Sequence, residues 1–113
     1  MQKPSLDWET FQKVEIRVGT IIEALPFPNA KRPAYRLKIE FGSSGILKSS
    51  AQITANYSLD ELIGRQVVAV VNFPPKQVAN FMSECLILGA YAEDGSVILL
   101  KPDELAPNGS LVG

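Results

Sequence analysis

Histidine does not occur in this sequence. Its absence removes the Ser/His and Cys/His nucleophile systems and every histidine-ligated metal site. Cysteine occurs once, at Cys85, so no disulfide can form within the chain and a structural zinc site has too few ligands. One unpaired thiol fits a reducing compartment. Charge of one sign is not in excess: 11 basic and 12 acidic residues leave a net charge of −1. No protein-wide positive field exists to gather nucleic acid, so phosphate binding would need a local, salt-sensitive patch. Long apolar runs are missing too, and none approaches the ~20 residues of a membrane span. The opening run Met1-Gln2-Lys3-Pro4-Ser5-Leu6-Asp7 holds no apolar leader segment. The expectations are a cytoplasmic location, no membrane insertion, no metal and no cofactor. Acidic pairs remain at Asp60-Glu61 and Asp103-Glu104. Without histidine, a metal cluster or a glycine-rich phosphate loop they make no acid/base or nucleophile set, so the chain is expected not to be an enzyme.

What is present points to one small domain over residues 1–113 with one core. A chain of this length gains modest stability from its own burial, and dimerisation would bury more. Residues 5–12 suit a short helix, capped by Ser5 or Asp7, with Trp8 and Phe11 on one face. Val14, Ile16 and Val18 then alternate with Glu15 and Arg17, a half-buried strand that Gly19 is expected to bend. Prolines 26, 28 and 33 frame a loop around Lys31-Arg32. Tyr35, Leu37, Ile39 and Phe41 alternate with Arg36, Lys38 and Glu40, the cleanest strand in the chain. Gly42–Gly45 is a turn, and a weaker strand covers Ile46 to Ile53. Ser58 and Glu61 form a capping box for a short helix ended by Gly64. Val67–Val71 is a continuous apolar strand stopped by Pro74-Pro75. Residues 76–83 read as a polar, irregular connection. Leu86-Ile87-Leu88 reads as core strand, Asp94-Gly95 as a hairpin turn, and Val97–Leu100 as its return. Five to seven short strands with one inserted helix describe an all-β, small barrel.

Local strings then add a resemblance. Glu15-Ile16-Arg17-Val18-Gly19-Thr20-Ile21 resembles the first-strand signature of tRNA-binding domains. Glu61–Val68 and the Ser83-Glu84 step fit the same family, over residues 11–113. Lys48-Ser49-Ser50-Ala51-Gln52-Ile53-Thr54 and Val70-Val71-Asn72-Phe73-Pro74-Pro75 resemble the CsaA group within it, as does Pro107-Asn108-Gly109. The resemblance implies an OB-fold, a five-stranded Greek-key barrel with terminal extensions, and a homodimer. It implies a chaperone for unfolded, export-bound polypeptides, with an export motor as a further partner, or alternatively a tRNA-binding protein. The chain departs from the tRNA-binding members at Gln77, Ala79 and Asn80, which replace a lysine, an arginine and a glycine, and at Cys85, which replaces a glycine. Fewer loop cations weaken the hold on phosphate.

The candidate ligand-binding residues follow, each with a plain structural alternative. Lys31 and Arg32 are phosphate or acidic-peptide contacts, or a solvated loop pair. Arg36, Lys38 and Lys48 line the barrel face that OB-folds use, or guard an exposed strand. Ser50 and Gln52 offer hydroxyl and amide groups to a ligand backbone, or bond locally. Asn72 and Ser83 lie on the family's binding surface by analogy, though Asn72 also suits a sheet-end cap. Lys76 is the remaining loop cation. Phe73 is expected to pack under its loop, Tyr35 to sit in the core, and Cys85 to be a small buried hydrophobe. Trp8, Phe11, Leu111 and Val112 are candidates for the subunit interface.

Overall fold

The computed structural model describes residues 2–113. Helix α1 (Trp8–Gln12) starts where Asp7 caps it: the Asp7 carboxylate accepts from the Thr10 N–H at 2.8 Å. No α1 residue is buried. Strand β1 (Ile16–Pro26) is the backbone of the barrel. It pairs antiparallel with β2 (Tyr35–Glu40) along its second half, and β2 pairs antiparallel with β3 (Ile46–Ala51). Helix α2 (Leu59–Leu62) crosses to β4 (Gln66–Val70), which returns to pair with the first half of β1. Its capping box is in place, with Glu61 accepting from the Ser58 N–H at 2.6 Å, and Gly64 takes the left-handed φ of 85°. Then follow β5 (Lys76–Val78), β6 (Phe81–Ser83), β7 (Leu86–Ile87), β8 (Gly89–Tyr91), β9 (Val97–Leu99) and β10 (Leu111–Val112). The main sheet runs β3-β2-β1-β4-β7, with β10 added to β1. It curls into a nearly closed antiparallel barrel of five strands, the small barrel that the strand pattern anticipates and the OB-like architecture that the resemblance implies.

The inward register of β2 holds. Leu37, Ile39 and Phe41 are buried and join Ile21, Leu62 and Val67 in the core, with Tyr35 packed against it. Four local expectations are corrected. Gly19 does not bulge; the register shift falls at Ile22, between Ile21 and Glu23. Gly19 is instead a point of close approach, since a Cβ there would sit 2.7 Å from Ile39 and Phe41. Residues 76–83 are not irregular but a β5–β6 hairpin, turned by Ala79 at φ 52°. A positive φ at the first turn position is normally glycine's, so composition concealed the turn. Leu86 is half exposed rather than core, because its strand lies at the sheet edge where the barrel wall opens. Phe73 does not pack under its loop; it is 55% exposed.

Candidate binding groove and basic face

Closure of the barrel between β3 and the segment that follows β6 is the local event that builds the site. A backbone bond from Glu84 N–H to Lys48 O at 2.7 Å starts the seam. Side chains then replace further ladder bonds. Lys48 N–H donates to the Glu84 carboxylate at 2.9 Å and Ser50 N–H to Ser83 Oγ at 3.1 Å. Ser49 Oγ, on a buried residue, donates to Cys85 O at 3.1 Å. The oddly polar Ser49-Ser50 string is therefore seam material. Beyond Ser50 the two walls part and leave a groove of about 710 Å³. Ile53, Ile87, Val97 and Leu99 supply apolar lining, and Phe73 and Tyr91 stand at it largely exposed. One cation, Lys76, and one carboxylate, Glu84, lie along it.

Cys85 lines the same groove but is only 6% exposed. Burial pushes its thiol up to about 12, partly opposed by the Ser49 hydroxyl and assisted by the nearby Glu84 charge. It stays a neutral thiol at ordinary pH, without the thiolate a nucleophile needs. Among the described residues no cluster of three or more histidine, cysteine or acidic side chains is arranged to hold a metal. No helix among them is long and apolar enough to cross a membrane.

Of the candidate ligand-binding residues, the structure brings Ser50, Gln52, Lys76 and Ser83 together along the groove. A second group gathers on the outer face of β2 and β3. Arg36 lies 5.7 Å over the Phe27 ring and Lys48 5.2 Å over the Phe81 ring, and those rings meet edge-to-face at 5.5 Å. The contact ties the 27–34 loop to the β5–β6 hairpin. Arg36 also donates to Pro26 O at 3.1 Å. Lys38 stands opposite Lys48 in the strand register and is paired with Glu23 at 3.5 Å. Lys31 and Arg32 are exposed on the loop. Among the described residues, Lys31, Arg32, Arg36, Lys48 and Lys76 have no carboxylate partner within ion-pair distance.

Asn72 belongs to neither group. Its amide is engaged, donating to Lys13 O at 2.6 Å and accepting from the Glu15 N–H at 3.0 Å, so it fastens the chain between α1 and β1. Trp8 is 76% exposed with its ring edge-to-face with Phe11, and Leu111 and Val112 of β10 are exposed beside β1. Sequence reasoning overlooked Phe27, Glu84 and Tyr91. Phe27 and Tyr91 carried no periodic signal, while Glu84 was visible in the Ser83-Glu84 step without a stated role.

A family model described as "Putative tRNA binding domain" matches residues 16–111. The chain belongs to the tRNA-binding-domain family. Within that family it is CsaA-like. The structure of the chaperone CsaA of Bacillus anthracis matches with a TM-score of 0.93 and 48% identity, covering 97% of this chain and 100% of that one. The CsaA chaperone protein of Picrophilus torridus matches with a TM-score of 0.91 and 52% identity over 96% of this chain and 100% of that one. The methionine–tRNA ligase of Leptospira biflexa is 38% identical over 92% of this chain, which spans only 15% of that enzyme's length. This tRNA-binding domain thus corresponds to a minor part of the ligase and to the whole of the CsaA chains.

Proposed function

We propose that this CsaA-like tRNA-binding domain is a single, non-catalytic unit that holds unfolded, export-bound polypeptide in its groove and works as a cytoplasmic homodimer. The groove carries this reading. Its lining is mainly apolar with one cation, which suits extended chains with apolar side chains rather than a polyanion. The likeness to two CsaA chaperones over nearly the whole chain supports it further. A dimer would cover exposed Trp8, Leu111 and Val112 and present two grooves to one long ligand, raising avidity without new contacts. An export motor is a natural further partner for such a holder.

The second reading is tRNA binding. It is favoured by a separate observation, the Arg36 and Lys48 cations set over the Phe27–Phe81 pair with Lys31 and Arg32 nearby. Cations on a shaped face contact a phosphate backbone, and the affinity falls with salt through counterion release.

The two readings separate in one titration. Labelled tRNA and an unfolded preprotein are each titrated with the protein over a salt series and followed by anisotropy. Uptake of preprotein that tolerates salt, with weak and steeply salt-dependent tRNA binding, is the expected result. Tight tRNA binding without preprotein uptake would reverse the assignment. Light scattering should return twice the chain mass; the mass of one chain would remove the dimer.

A further inference from the structure

The groove has an unfinished strand edge. Lys48 and Ser50 send their N–H groups away from β2, to Glu84 and Ser83 in the seam. Strand N–H and C=O groups alternate sides. The Ser50 C=O therefore turns to the same side as its N–H, and the Gln52 N–H turns there next, at the groove lined by both residues. Among the described residues neither group has a hydrogen-bond partner. Backbone groups so placed need a partner from elsewhere.

A lone C=O followed two residues later by a lone N–H is what one residue of a parallel neighbour satisfies. That residue donates its own N–H to the first group and accepts from the second. An antiparallel neighbour would meet the two groups with two different residues, and its pair opposite Ser50 would stay half made because Ser83 already holds the Ser50 N–H. The chain's own tail is committed elsewhere, since β10 pairs with β1.

We infer that an extended segment of a foreign polypeptide adds to β3 here as a short parallel strand, with one ligand residue donating to Ser50 C=O and accepting from Gln52 N–H. The inference rests on the polypeptide reading above and specifies how the groove selects. Strand β3 ends at Ala51, and the run from Ser50 on to Ile53 adds up to at most about 13 Å, room for no more than roughly four ligand residues. Every second ligand side chain meets the apolar lining of Ile53, Ile87 and Leu99. Selection is therefore by backbone and by alternation of apolar residues, not by charge.

The test is a backbone N-methyl scan of a fluorescein-labelled peptide alternating leucine and serine, measured by anisotropy against the full chain. Methylation at one position should weaken binding about tenfold, with the two adjacent positions changing less than about threefold. Gln52→Pro, checked for fold by circular dichroism, should lose a similar factor toward the unmodified peptide. Binding that tolerates methylation at every position would overturn strand addition and leave the polypeptide reading intact. So would a protein that takes up unfolded preprotein but not this peptide. Failure to take up either would overturn the polypeptide reading itself.

Discussion

The barrel has two edges of different finish. On the tail side, β1 is closed by backbone. Val18 N–H donates to Ser110 O at 3.0 Å, Gly109 N–H to Val18 O at 2.7 Å, and β10 continues the pairing. Buried Gln66 grips Ala106 through both its N–H and its C=O, at 3.0 and 2.6 Å, and Asn108 bonds Thr20, Gln66 and Glu40. On the groove side, Ser83 and Glu84 side chains stand in for strand bonds, and closure stops at Ser50. The same backbone demand is met at both edges, but short side chains satisfy only the groups within their reach. A completed ladder leaves an inert surface. A side-chain seam leaves an edge with polar groups to offer, and there the apolar groove lies.

Alkaline pH should act on the groove edge most strongly. Cys85 lies in that seam with its thiol raised from 9.0 to about 12. The unfolded chain ionises this thiol first, so stability is retained below pH 9 and is lost as pH rises toward 12. Three units correspond to at most about 4 kcal/mol. Urea melts of the wild type and Cys85→Ala across that window should converge as pH rises. Parallel curves would show that the seam does not exclude the thiolate. Gln66→Ala tests the other edge. It strands both the N–H and the C=O of part-buried Ala106, so the loss should be about 2–3 kcal/mol in a thermal or urea melt. Ser83→Ala strands one part-buried N–H, that of Ser50, rather than two groups, and should cost only about 1 kcal/mol. Equal costs for the two variants would contradict the contrast in closure.

The closed half of the molecule was the more legible in sequence. Leu37, Ile39 and Phe41 announce their face by alternation, and the Ser58–Glu61 box and Asp94-Gly95 turn announce theirs by local chemistry. The groove depends on segments distant in sequence. Lys48 meets Glu84 and Ser50 meets Ser83 through bonds across 36 and 33 positions, which no period records. The β5–β6 turn uses alanine where glycine is the usual signal. Likewise, Phe27 meets Phe81 only because the 27–34 loop and the hairpin both reach the β2–β3 face. Strand residues such as Arg36 and Lys48 could be nominated in advance. Their seats on those two rings could not.

The smallest expected change in stability falls on the basic face, which makes it the cleanest separator of ligands. Lys48 faces Lys38 across the strands, and like charges so placed cost roughly 0.2–1 kcal/mol. Its ammonium over Phe81 returns about 0.5–1 kcal/mol at an exposed site. The two effects nearly cancel. Lys48→Met keeps the stem against the ring and removes the charge, so the melting temperature should move by no more than ~2 °C. If the Lys48 ammonium neutralises a tRNA phosphate, its removal lowers the slope of log affinity against log salt by about one. Polypeptide uptake in the groove should not change, because the lining cation there is Lys76. An unchanged tRNA slope would take Lys48 off the nucleic-acid face. Equal losses for both ligands would mean that the groove and the basic face are one site rather than two.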